Sequence, residues 1–188
     1  MPKLAEAAEG RRVVLFVDAA HFVFGAFLGY LWSFTRIFVK TPSGRKRFNV
    51  LGAVDAMSHK VTTICNETYI NAMTVCDLLR KVTEVYTNLP VTLVMDNARY
   101  QRCILVMGLA KELGIELLFL PPYSPNLNLI ERYWKFLKKK CLKSKYYENF
   151  DLFKASIMTG LERSNDDWQE NLKTLLTVNF QSFDNAKK

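Results

Sequence analysis

Three carboxylates stand in sequence contexts that favour metal-dependent chemistry. Asp18 and Asp96 each follow a short run of apolar, largely β-branched residues, and Glu131 lies in an amphipathic helical pattern. Carboxylate oxygens are the ligands that Mg²⁺ and Mn²⁺ prefer. Two such ions held side by side activate the attacking oxygen in phosphodiester cleavage and stabilise the leaving oxygen. The three residues are therefore predicted to be both catalytic and metal-binding, with two ions bound.

The two aspartates are expected to meet in space although they lie far apart in the chain. The ends of neighbouring strands converge at one edge of an α/β sheet. Carboxylates placed that close together raise one another's pKa, and a divalent cation removes the conflict. Taken singly, an Asp after a strand is more often a turn former, and a Glu on a helix usually faces solvent. The combination, with its flanking residues, is what favours a site.

The elements that must position these residues follow from hydrophobic periodicity. The predicted strands cover 13–17, a stretch near Arg36 to Lys40, and then 48–54, 61–65, 91–95 and 115–119. The predicted helices cover about 69–86, 99–113, 126–142, 152–163 and 168–178. Strands come first and then alternate with helices, which predicts hairpins at one side of the sheet and right-handed crossovers at the other. The predicted α/β class is a mixed five-stranded sheet flanked by helices, the plan of the ribonuclease H-like fold.

The length of 188 residues fits one domain. Residues 1–11 are polar and are predicted to be an N-terminal tail or linker remnant. Residues 12–146 are predicted to form the catalytic domain. Residues 147–188 are predicted to form C-terminal helices packed on that domain or extending it.

The composition favours a folded protein with a polyanionic partner. Hydrophobic residues make up 49% of the chain and charged residues 23%, so a packed core is expected. The net charge is +8 and the isoelectric point is about 9.3, which favours nucleic acid as a partner. The cysteines form no Cys-x-x-Cys pair and there are two histidines, which gives no zinc pattern and predicts reduced thiols in a cytoplasmic protein.

One segment has almost the composition of a membrane span. Residues 13–32 are strongly apolar, but Asp18 and His21 lie inside the segment and Gly25 interrupts it. A mid-membrane Asp costs about 2.5–3.5 kcal/mol on insertion scales. A buried strand that ends in a carboxylate and is followed by an apolar loop explains the segment better. We therefore expect no membrane association.

The flanks of the carboxylates resemble a known family. The blocks Val-Asp18-Ala-Ala-His-Phe, Met-Asp96-Asn-Ala-Arg and Leu-Pro-Pro-Tyr-Ser-Pro-Asn-Leu-Asn-Leu-Ile-Glu131 look like the three blocks of mariner-related transposases. The separation between Asp96 and Glu131 is similar to that of the bacterial insertion-sequence branch. The resemblance covers roughly residues 12–145. It implies a ribonuclease H-like DDE endonuclease domain that uses Mg²⁺ to excise and reinsert a DNA element.

The resemblance also implies supporting residues and partners. Asn97 and Asn128 are expected to orient the metal ligands. His21 is expected to orient Asp18 or to contact DNA, and a packed loop position for it is favoured at least equally. The family often has Asp at position 126, Pro at 129 and His at 101, where this chain has Asn, Leu and Gln. A homodimer is expected, since two DNA ends must be joined. Only about a dozen residues precede the first strand, so helix-turn-helix modules are expected to be encoded separately, joined by frameshifting or lost from a truncated copy.

Two basic groups are candidates for contact with double-stranded DNA, both transposon ends and target. Lysines and arginines with nearby aromatic rings suit phosphate contact and stacking on a distorted DNA end. The alternative is a solvated helix face, with Trp134 packed in the core. The candidate residues are Arg45, Lys46, Arg47, Lys135, Lys138, Lys139 and Lys143.

Three functions remain open from the sequence. The first is an active transposase catalytic domain. The second is another ribonuclease H-like nuclease, such as a junction resolvase, against which the Pro-rich block before Glu131 argues. The third is a catalytically silent transposase remnant that only binds DNA. A membrane protein is a distant fourth.

Overall fold

The computed structural model describes residues 2–25, 34, 46–121 and 127–178. Five strands form one sheet in the order β3-β2-β1-β4-β5. In chain order the elements are α1 (Pro2–Ala8), β1 (Val13–Val23), β2 (Arg47–Asp55), β3 (Val61–Asn66), α2 (Ala72–Val85), β4 (Val91–Met95), α3 (Ile104–Glu112), β5 (Ile115–Phe119), α4 (Ile130–Cys141), α5 (Phe150–Ser164) and α6 (Gln169–Leu175).

The central strand β1 joins the two halves of the sheet. It pairs antiparallel with β2 and parallel with β4, and β5 pairs parallel with β4. The predicted mixed five-stranded sheet, with hairpins on one side and crossovers on the other, is confirmed. The first strand was predicted to stop at Asp18, which is wrong. It continues to Val23 because β2 extends the antiparallel ladder beyond the point where the parallel pairing with β4 ends, at Phe16.

Each face of the sheet is covered by its own helices. Successive side chains of β1 alternate between the faces. Leu15 and Val17 belong to a core cluster with residues of α2 and α3, whereas Phe16 and Phe22 belong to a cluster with residues of α4, α5 and α6. Asp18 has the parity of Phe16, so its side chain lies on the α4 face.

Several other element boundaries differ from the predictions. The N-terminal segment is not a plain tail, because α1 packs on the sheet through Ala7 and through an ion pair of Lys3 with Glu116. Helix α3 begins at Ile104, since residues 98–102 form turns in which the N–H groups of Gln101 and Arg102 donate to the carbonyls of Ala98 and Arg99. Helix α4 begins at Ile130. The strand predicted near Arg36 to Lys40 lies outside the described residues.

The remaining predictions concern thiols and membranes. Cys65, Cys76, Cys103 and Cys141 are all free thiols, with Cys76 and Cys141 buried. Throughout the described part of the chain, no helix is both long enough and apolar enough to cross a bilayer.

Candidate active site

Asp18 lies on β1 just beyond the end of its parallel pairing with β4. Directly opposite it on β2 stands Gly52. The strand around Asp18 is deeply buried, with Phe16 and Val17 almost inaccessible and Asp18 itself partly buried. The extended, pleated backbone therefore delivers one carboxylate to the edge of the sheet, within an otherwise apolar face.

Asp96 follows directly on Met95, the last residue of β4, and its side chain is exposed. Its Oδ1 accepts a hydrogen bond from the backbone N–H of Ala98 at 3.2 Å, which fixes the turn after the strand. The Leu120 N–H donates to the Met95 carbonyl at 2.8 Å and so holds the end of β5 next to the end of β4. Asp96 is thus held at the carboxyl edge of the parallel strands, as the sequence predicts.

Glu131 lies in the first turn of α4, where a carboxylate is favoured by the helix dipole. The buried stripe of α4 packs on the sheet and comprises Ile130, Tyr133, Trp134, Leu137 and Cys141. Glu131 lies at the border of that stripe and is partly buried. This border position lets its carboxylate face the sheet edge that carries the two aspartates.

The charges of the three carboxylates interact in this structure. Burial, with smaller contributions from the negative charges of Glu131 and Asp96, raises the pKa of Asp18 to about 7. The backbone N–H of Ala19 and the indole of Trp134 act in the opposite direction, as hydrogen-bond donors do. A carboxylate with this environment holds its proton near neutral pH unless a positive charge is added.

The donor chemistry fits a hard divalent cation, whereas the spacing is too wide for one ion. Among the residues the structure describes, no three acidic, histidine or cysteine side chains lie close enough together to hold a metal ion. The donors that would hold it are three carboxylates that repel one another, which is the electrostatic situation a divalent cation relieves. Binding requires the carboxylates to approach one another more closely than they do here.

The three residues expected to orient the ligands have different positions. Asn97 donates from Nδ2 to the Leu120 carbonyl at 2.7 Å and so ties β4 to β5 beside Asp96. Asn128 is buried and donates from Nδ2 to the Val17 carbonyl at 3.3 Å, next to Asp18. His21 is exposed; its Nδ1 lies 2.7 Å from Asn49 Oδ1.

His21 cannot orient Asp18 from this position. The two residues are three positions apart on β1, so their side chains project from opposite faces of the sheet. The imidazole belongs instead to a polar row across β1, β2 and β3, in which Asn49 Nδ2 donates to Asn66 Oδ1 at 3.1 Å. The expectation that His21 supports the metal ligands is therefore not supported by its geometry.

The basic residues follow α4 away from Glu131. Lys135 and Lys139 are exposed, and Lys138 lies with its Nζ 5.8 Å from the centroid of the Phe22 ring, near the end of β1. Lys143 is exposed just after the helix. Lys46, 5.5 Å above the Phe150 ring, and exposed Arg47 precede and begin β2, where it pairs with the end of β1. Arg45 lies outside the described residues.

Two side chains near the carboxylates were missed as site residues. Trp134 was expected mainly to pack in the core, yet its indole also acts on Asp18. Tyr100 follows the Asp-Asn-Ala-Arg block, and burial together with the charges of Asp96 and Asp18 raises its pKa to about 12. No motif or hydrophobic periodicity in the sequence marks Tyr100 as a site residue. The signal for Trp134 is Gly52, since a glycine inside a strand often marks a close approach.

Comparison with known proteins gives one family match. A family model described as DDE superfamily endonuclease matches residues 13–154. That range contains all three carboxylates. No curated protein matches the chain significantly.

Solved structures share the fold at low sequence identity. A Mos1 transposase paired-end complex with the left transposon end has a TM-score of 0.58 at 14% identity, over 96% of this chain and 60% of that one. A simian T-cell lymphotropic virus intasome complexed with the PP2A regulatory subunit B56 gamma has a TM-score of 0.58 at 15% identity, over 80% and 47%. The HTLV-2 integrase catalytic core with magnesium has a TM-score of 0.53 at 12% identity, over 80% and 83%. The chain thus spans less than two thirds of the first two proteins.

Proposed function

Because the chain belongs to the DDE superfamily endonucleases, we propose that it is a transposase catalytic domain that cleaves DNA and transfers the cut strands in cut-and-paste transposition. The observation that supports this most is the arrangement of Asp18, Asp96 and Glu131. In support, the charges of Glu131 and Asp96 both act on Asp18. The fold is shared with a Mos1 transposase and with retroviral integrase cores.

Asp18, Asp96 and Glu131 would hold two divalent ions, Mg²⁺ or Mn²⁺. Bound there, the ions would activate the attacking oxygen, from water or a DNA 3′ hydroxyl, and stabilise the leaving oxygen. Structures of HTLV-2 integrase with magnesium and of a Mos1 paired-end complex with Mn support this choice of metals.

The protein's own residues preorganise this edge. The hydrogen bond from Asn128 to Val17 holds the start of α4 beside Asp18, and that from Asn97 to Leu120 holds the strand end that carries Asp96. The buried strand around Asp18 limits access of water on the α4 side. The chain would thus supply positioned carboxylates in a partly buried site, which is what a protein contributes to metal-assisted phosphoryl transfer.

The DNA backbone would follow the cations of α4. Lys135 and Lys138 lie one and two turns beyond Glu131, so the helix places phosphate-binding groups next to the carboxylates. Lys139 and Lys143 extend this group, and Lys46 and Arg47, with Arg45, would contribute from the start of β2. Contacts of this kind position DNA without reading its sequence.

We further propose the setting in which the domain works. A homodimer would hold two ends of a bacterial insertion-sequence element together. A helix-turn-helix module, separate or fused, would recognise the terminal repeats. The complex would act on the nucleoid in the cytoplasm.

Strand transfer separates a transposase from a simple nuclease. A labelled DNA duplex with a free 3′ hydroxyl is incubated with unlabelled supercoiled plasmid, the chain and Mg²⁺ or Mn²⁺. Label joined covalently to plasmid supports the transposase. Nicked plasmid without joined label would favour another ribonuclease H-like nuclease.

One observation favours the alternative of a silent DNA-binding remnant. No metal-sized cluster of ligands is formed among the described residues. A remnant would bind DNA equally in EDTA and in Mg²⁺, with no product in either. An active domain would give metal-dependent product from the same binding mixture.

A further inference from the structure

Gly52 makes room for Trp134 beside Asp18. Gly52 is the residue directly opposite Asp18 in the antiparallel pairing of β1 with β2. A Cβ atom added to Gly52 would lie 2.7 Å from Cη2 and 2.8 Å from Cζ2 of Trp134, far inside normal contact. The benzo ring of the indole therefore rests on the bare backbone of Gly52, at the register position of Asp18.

The indole is fixed in this place by its neighbours. Trp134 is 4% exposed, and its ring packs edge-on to Phe22 with centroids 6.4 Å apart and against Tyr133 at 5.0 Å. Its Nε1 is buried and makes no hydrogen bond of ordinary geometry in this structure. A buried indole N–H usually has an acceptor, and an unpaired one indicates a role that packing does not explain.

The strand register places the carboxylate of Asp18 across the ladder from Gly52, on the same face of the sheet as the ring. The indole also lowers the pKa of the Asp18 carboxyl, as a nearby N–H donor does. The other side-chain charges that act on Asp18 come from Asp96 and Glu131 and have the opposite effect. The position of the ring and its unpaired N–H therefore point to Asp18 as the acceptor.

We propose that Trp134 is a positioning residue for Asp18: its indole N–H donates to the ionised carboxylate and holds it toward Asp96 and Glu131, and Gly52 is required for the indole to reach it. The contact itself is independent of the chain's activity. Its effect on DNA cleavage rests on the proposed function.

The contact is tested first without metal or DNA, by the indole N–H signals of ¹⁵N-labelled protein in EDTA. Trp134→Phe identifies the Trp134 signal by its loss. Asp18→Asn, which substitutes a neutral amide of the same shape, should shift the Trp134 signal and leave that of Trp168 in place. Asp77→Asn, a surface control, should shift neither. A Trp134 signal that is unchanged in Asp18→Asn would overturn the proposal.

The effect on catalysis is tested with Trp134→Phe, which keeps an aromatic ring over Gly52 and removes the donor. We expect the rate of metal-dependent plasmid nicking at saturating DNA to fall about 10- to 100-fold, with the affinity for DNA unchanged. Trp168→Phe, at the ring packed 5.5 Å from Phe136, is the matched control and should nick at the wild-type rate. Wild-type nicking by Trp134→Phe would overturn the positioning role.

Gly52→Ala tests the seat of the indole. The added methyl group should displace the ring, shift its N–H signal and reduce nicking at least as much as Trp134→Phe does. An unchanged signal with full activity would remove Gly52 from the proposal. If the wild-type chain itself nicks no DNA, the proposed function fails, and the indole signal in Asp18→Asn still decides whether the contact exists.

Discussion

Asn128 and Val17 join the two parts of the chain that carry Asp18 and Glu131. The Nδ2 of Asn128 donates to the Val17 carbonyl at 3.3 Å, one residue before Asp18, while the Asn128 carbonyl accepts from the Glu131 N–H at 3.2 Å. The distance between a strand residue and a helix residue is thus set by one buried amide. The relative position of Asp18 and Glu131 therefore depends in part on Asn128.

Asn128→Ala should reduce nicking by more than its loss of folding stability explains, because it also releases Glu131 from its position relative to Asp18. The substitution leaves a buried carbonyl at Val17 unpaired, which costs about 1–3 kcal/mol, and frees the start of α4 next to Glu131. We expect a lower free energy of unfolding together with at least a tenfold loss of nicking. Asn71→Ala, which removes the N-cap of α2, is the control because it costs about 1 kcal/mol without touching the carboxylates. Urea unfolding measures the stability of both variants, and plasmid nicking measures their activity. Equal nicking by the two variants would contradict the role of Asn128.

The stability of the metal-free protein should depend on Asp18. Its pKa is about 7 in the folded chain and about 4 when unfolded. Between these two values the Asp18 carboxyl is protonated in the folded state only. The stabilisation of the folded state by this proton is therefore complete below about pH 4 and is lost as pH rises through about 7. Asp18→Asn removes this loss. Relative to wild type, its free energy of unfolding should rise by at most about 4 kcal/mol between about pH 4 and pH 8 in EDTA.

Urea unfolding of both proteins across that pH range measures the difference. Addition of Mg²⁺ should reduce it, because a cation stabilises the ionised carboxylate of the wild type only. A difference that stays constant with pH would show that Asp18 does not titrate as its surroundings indicate.

Lysines of α4 should account for part of the salt dependence of DNA binding. If Lys138 and Lys139 each neutralise one phosphate, the double alanine variant should reduce the slope of log K against log salt by about 2. Lys3 and Lys81, which pair with Glu116 and with the Thr63 carbonyl, give a control double variant of equal charge. Binding titrations at several salt concentrations measure both slopes. Equal slopes for the two variants would remove this patch from the DNA path.

Strand positions and their order along the chain could be predicted, because the sequence signals for a strand are local. The runs at 91–95 and 115–119 coincide with β4 and β5, and each is bounded by residues that stop a strand. The end of β1 could not be predicted, because its last residues are held by pairing with β2, a partner distant in sequence. The start of α3 was also misplaced, because the turn at 98–102 contains no helix-breaking residue.

The sequence offers residue types for the candidate site but not the directions of their side chains. Asp18 and His21 looked like neighbours in one block, yet in a strand an odd separation puts two side chains on opposite faces. The role inferred for Trp134 could not be predicted from its helix alone, because it depends on Gly52, a residue from another strand. Cross-strand register, which the sequence does not state, decides both cases.

The central claim is that Asp18, Asp96 and Glu131 form a metal-dependent nuclease site, and nicking of supercoiled plasmid tests it most directly. The wild type is compared with Asp96→Ala in Mg²⁺, in Mn²⁺ and in EDTA, with Asp77→Ala as a surface carboxylate control. We predict nicking that requires metal, persists in Asp77→Ala and is abolished in Asp96→Ala, as it should be in Asp18→Ala and Glu131→Ala, while DNA binding largely survives. Near-wild-type nicking by Asp96→Ala, or no nicking by a wild type that binds DNA, would contradict the account.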